Sequence, residues 1–118
     1  MSATTTGRFN QITISSGNCT INGNITSGTT GCVISISTTG TLQIGGSSIG
    51  AFTLTPNSTS TVIYSGGVQT VRPATYNNLT LGGSGLKTTT SVSVNGTLTL
   101  EGTATITAAV TYGSAAGL

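Results

Sequence analysis

The chain has 118 residues, a net charge of +2 and only 3% charged residues, against about 25% in an ordinary soluble domain. Its three cations, Arg8, Arg72 and Lys87, stand far apart, and Glu101 is its one acid. That excludes the basic patch of a nucleic-acid binder and leaves no carboxylate pair for acid–base chemistry.

Ser and Thr make up more than a third of the sequence, and Gly adds 18 residues. Thr, Ile and Val favour extended backbone, and this composition suits a secreted or cell-surface protein. No apolar run approaches the roughly 20 residues of a membrane span. The opening "MSATTTGRFNQ" lacks a basic stretch followed by an apolar one. The expectation is an exported chain whose signal was removed, with Met1 added for expression.

Taken in order, the chain is a succession of short apolar pairs. The first, Ile12/Ile14, follows Phe9, and Ile21 and Ile25 continue less regularly. Two interleaved series come next. One runs Leu42/Ile44, Val62/Tyr64, Leu79/Leu81 and Leu98/Leu100, with steps of 20, 17 and 19 residues. The other runs Ile34/Ile36, Phe52/Leu54, Val71 and Val92/Val94, with steps of 18, 17 and 23. The last stretch still alternates, at Ile106, Ala108, Val110 and Tyr112.

Side chains alternate across a strand, so each pair marks an inward face. A repeat near 20 residues with Gly, Ser and Asn between strands is the pattern of a solenoid, whose coils bury their faces only by stacking. The predicted fold is all-β: one parallel β-solenoid (β-helix) domain over residues 1–118, of roughly six coils. Gly40, Gly96 and Gly102 are expected at corners, and Pro56 and Pro73 in loops or corners. The alternative is a β-sandwich, which also has many short strands but needs no fixed repeat.

Cys19 and Cys32 are the only cysteines. They are either a disulfide, worth about 2–4 kcal/mol in an oxidising compartment, or two buried thiols. Without His or Asp they fall short of the about four ligands of a zinc site. No catalytic, metal or cofactor site is expected, and the chain is read as no enzyme.

Within residues 61–100 the segment Val62 to Val71 ("VIYSGGVQTV") precedes "YNNLTL" at Tyr76 to Leu81 and "VNGTLTL" at Val94 to Leu100. This run resembles a repeat of large secreted bacterial adhesin-like proteins. The resemblance covers about a third of the chain and implies a right-handed parallel β-helix in a surface protein. Residues 1–60 share only the strand rhythm.

Other motifs point to little. "GGSGLKT" at residues 82–88 has Leu86 where a phosphate loop needs Gly directly before Lys, so it reads as a corner loop. Glu101 reads as a solvated residue after a strand. The sequons at Asn18, Asn24, Asn57, Asn78 and Asn95 carry no message beyond surface exposure. Thr-x-Thr pairs at Thr53/Thr55, Thr97/Thr99 and Thr103/Thr105/Thr107 suggest an ice-binding face, but the outward positions form a broken ladder. Tyr64 reads as core, whereas Tyr76 is a candidate for an exposed, sugar-stacking aromatic.

Open solenoid ends present unpaired backbone, and this chain has neither a capping helix nor a charged terminal coil. The expected role is therefore structural. Copies of the chain would assemble head-to-tail or by strand donation into an extracellular filament, with Phe9, Ile12, Ile14, Ile106, Val110 and Tyr112 as buried anchors. The alternatives are an adhesin stalk segment in contact with cell-surface glycans and, third, an ice-binding protein. No nucleic-acid partner is expected.

Overall fold

A strand that alternates inward apolar with outward polar residues buries half its surface and leaves its backbone to pair sideways. The computed structural model describes residues 11–27, 31–50 and 52–113, and in it this pairing is parallel throughout. Among the described residues sixteen short strands wind around three faces.

Face one carries β1 (Gln11–Ile14), β4 (Val33–Ile36), β7 (Thr53–Pro56), β10 (Ala74–Tyr76), β13 (Val92–Val94) and β16 (Thr111–Tyr112). Face two carries β2 (Asn18–Ile21), β5 (Thr41–Ile44), β8 (Thr61–Tyr64), β11 (Asn78–Leu81) and β14 (Leu98–Leu100). Face three carries β3 (Ile25–Ser27), β6 (Ser48–Gly50), β9 (Gln69–Thr70), β12 (Ser84–Thr88) and β15 (Thr103–Ile106). The chain visits the faces in turn, making about five coils, with β16 opening another.

Face two is the spine, an uninterrupted five-stranded parallel sheet in the order β2-β5-β8-β11-β14. Its inner columns are Cys19, Leu42, Val62, Leu79, Leu98 and Ile21, Ile44, Tyr64, Leu81, Leu100. The first apolar series of the sequence is thus a physical column. The coil count is five instead of six because the first step, from Cys19 to Leu42, is 23 residues, and the coils occupy the described residues only.

Face one departs from its predicted register. Ile34 pairs with Leu54, and Ile36 with Pro56, so Phe52 follows Cys32 and not Ile34. In the fourth coil Ala74 and Tyr76 take the inward places opposite Val92 and Val94, and Val71 lies before the strand. Pro56 ends β7 instead of lying in a loop, and Pro73 sits in the bend before β10.

The other two faces each break once. Face one divides into β1-β4-β7 and β10-β13-β16, and face three into β3-β6 and β9-β12-β15. Residues 82–88 are not wholly a corner loop: β12 begins at Ser84 and runs along face three.

A glycine stands at the corner between faces two and three in every coil. Carried past the strands, the face-two register aligns Gly23, Gly46, Gly66, Gly83 and Gly102. Coils lie about 4.8 Å apart, and at this corner the backbones meet with no room for a side chain. A Cβ on Gly46 would strike the Gly23 carbonyl, on Gly66 the Gly45 carbonyl, on Gly83 the Gly66 carbonyl and on Gly102 the Gly83 carbonyl. Gly83 and Gly102 also take positive φ, 70° and 65°, which an L side chain resists.

Candidate functional site: buried polar joints and open ends

Both ladder breaks are bridged by side chains. On face three, Gln69 Nε2 donates to the carbonyls of Ile44 (3.0 Å) and Gly46 (2.7 Å), while its Oε1 accepts from the Gly66 N–H (2.9 Å). The amide thereby holds coil three to coil two where β9 and β6 do not pair. Lys87 completes the joint. Its Nζ donates to the carbonyls of Gly66 (2.8 Å) and Gly67 (2.6 Å) and to Gln69 Oε1 (2.7 Å).

The Lys87 side chain is fully buried, and burial lowers its pKa from the usual lysine value. Three oxygens compensate the ammonium for lost water, as a buried charge requires. A cationic residue inside a nearly charge-free chain is what the sequence reading missed, because lysine in a strand ordinarily marks an outward position.

The break on face one is closed by Arg72. Its N–H donates to Tyr64 Oη (3.0 Å), its carbonyl accepts from the Tyr76 hydroxyl (2.6 Å), and the two phenols lie 3.2 Å apart. The Arg72 guanidinium reaches back to the Phe52 carbonyl through Nε (2.9 Å) and lies over the Phe52 ring, 4.2 Å from its centroid. Burial pushes the Tyr64 phenol up, and burial together with Tyr64 pushes Tyr76 well up. Both tyrosines are fully buried, so Tyr76 is no sugar platform. The inward phase of β10 places it in the core.

Cys19 and Cys32 are buried thiols and not a disulfide. Cys19 fills the Leu42 column on face two, and Cys32 precedes β4 at the register place of Phe52 on face one. Each acts as a small core hydrophobe on its own face.

The remaining predicted residues gather at the ends. In the first coil Ile14 is buried and Ile12 half-buried. At the last, Val110 is buried, Ile106 half-buried and Tyr112 exposed. Phe9 lies outside the described residues. Among the described residues β1, β2 and β3 are paired on one side only, as are β14, β15 and β16. The edge leaves Leu100 52% exposed, whereas Leu81 behind it is at 0%.

Outward, face two shows Asn18/Thr20, Thr41/Gln43, Thr61/Ile63, Asn78/Thr80 and Thr97/Thr99. The register aligns these positions, but Asn18, Gln43, Ile63 and Asn78 interrupt the hydroxyl array. Among the described residues no cluster of metal-ligating side chains forms, and no helix is long and apolar enough to cross a membrane. Comparison with protein-family models, with curated proteins and with solved structures finds no match.

Proposed function

We propose that the protein is a non-enzymatic structural element, a β-solenoid that stacks head-to-tail with copies of itself into an extracellular filament. The observation that carries this reading is the pair of unlike open ends. All ladders are parallel, so the two ends offer complementary edges, and Leu100 at one end is an inward core residue with no coil above it among the described residues. A contact between unlike surfaces that does not close into a ring generates a filament. Low charge favours it, since repulsion between copies is slight.

Negative-stain electron microscopy of the purified chain over a concentration series tests the reading. Fibres of one uniform width are expected.

A second reading is a stalk segment of an adhesin-like surface protein, in which further coils of the same chain stack on these edges. It is favoured by β16, which opens a new turn on face one. Glycan contact would then fall to Tyr112, the tyrosine that reaches the surface. The interrupted hydroxyl array on face two gives ice binding little support.

A further inference from the structure

Gly23 stands apart in the corner column. At Gly46, Gly66, Gly83 and Gly102 an added Cβ would strike the backbone of the coil before. At Gly23 it would meet nothing within 4 Å among the described residues, and its φ is not in the left-handed region. Packing within the described chain therefore does not require glycine there. The position would require it if another coil, with a carbonyl at this corner, lay against the first.

The top of the molecule carries such a corner. The Gly102 carbonyl stands one coil beyond the Gly83 carbonyl, which a Cβ on Gly102 would strike. We infer that the first coil of one copy docks on the last coil of another in one register, with Gly23 packed on Gly102. This inference rests on the filament reading and fixes its geometry.

The same offset that joins coils four and five, Leu81 to Leu100 and Leu79 to Leu98, then places Ile21 on Leu100, Cys19 on Leu98 and Thr20 on Thr99. Both inner columns of face two continue across the joint as apolar residues. Leu100 is covered as Leu81 is covered within the chain. A slip by one residue would turn the incoming inner side chains outward. A slip by two would move the Gly102 carbonyl away from Gly23 to Ile21 or Ile25. The occupant is thus a second copy of this chain, joined as one more step of the same solenoid.

The test compares Gly23→Ala with Gly67→Ala. Gly67 is an exposed corner residue with equally open space and no positive φ, and it lies away from both ends. Both variants are expected to keep the wild-type thermal midpoint as dilute monomers. Gly23→Ala is expected to raise the critical concentration for fibres about tenfold or more, since overpacking recurs at every joint, while Gly67→Ala leaves it unchanged.

A second measurement does not depend on these variants. Thr20→Cys with Thr99→Cys puts thiols on directly stacked strands, about 4.8 Å apart and within the Cα range of a disulfide. Mild oxidation is expected to yield covalent ladders of copies, and the out-of-register pair Thr20→Cys with Thr97→Cys is expected not to. Wild-type fibres with equal critical concentrations for both alanine variants, or cross-linking of the out-of-register pair alone, would overturn the register and leave the filament standing. A wild-type chain that forms no fibres would overturn the filament reading and the register with it.

Discussion

Leu81 and Leu100 are the same residue type in the same inner column, one coil apart, and only one of them is in a core. The interior coils have a neighbour above and below, so their inward side chains are sealed and can include a lysine and two tyrosines. Among the described residues the terminal coils have one neighbour, and their inward residues include the part-exposed Ile12, Ile21, Leu100 and Tyr112 beside the buried Ile14, Cys19 and Leu98. In a solenoid, burial is a property of the stack and not of the strand. Among the described residues the end coils carry a core pattern that is covered on one side only.

The comparison breaks most visibly at the column itself. Leu81→Ala removes a sealed side chain and is expected to cost about 2–5 kcal/mol, whereas Leu100→Ala should cost well under half of that in the monomer. Urea denaturation of both variants below the fibre threshold checks this, and equal losses would show that the last coil is covered. The corner is next. Gly83→Ala meets a backbone carbonyl and needs a strained φ, so about 1–3 kcal/mol is expected. The open corners Gly23 and Gly67 should lose only a few tenths, measured by the same titration.

Lys87→Met sharpens the contrast between the polar interior and the apolar ends. It removes the Lys87 donor from the Gly67 carbonyl and leaves the Gly66 carbonyl with the Ser84 N–H alone, with an expected loss of about 1–3 kcal/mol. Hydrogen exchange is expected to rise around β9 and β12 and to stay unchanged at β2 and β14.

The smallest effect is alkaline. Burial raises the Tyr64 and Tyr76 phenols above 10.0, so the unfolded chain releases those protons first. Their contribution is intact below that pH and is lost as pH rises through the folded values, by at most about 1.4 kcal/mol per unit per phenol. Lys87 works the other way. Its folded pKa is lowered from 10.5, so its contribution grows as pH climbs from that lowered value to 10.5. Tyr76→Phe is expected to flatten the alkaline loss in thermal melts, and Lys87→Met to steepen it.

Face two was legible in the sequence because each strand from β5 to β14 writes its inward residues as an apolar pair, and the pairs recur at steps of 17 to 20. Face one slipped because Cys32 does not read as a column member and Phe52 looks like one half of a pair with Leu54. The fourth coil hid its strand, since Ala74 is a weak apolar signal and Tyr76 stands beside two asparagines. Gln69 and Lys87 were missed because their polarity says outward. Their inward direction follows from two ladder breaks that no local pattern records. The glycine corner was equally hidden, since Gly45/Gly46, Gly66/Gly67 and Gly82/Gly83 become a column only once the strands are aligned.

The most direct measurement of the central claim is sedimentation of the wild-type chain against concentration, with the same samples imaged by negative stain. Stacking open ends predicts a critical concentration above which mass moves into fibres of one width. A single 11.6 kDa species at every concentration, with no fibres on the grid, would contradict it.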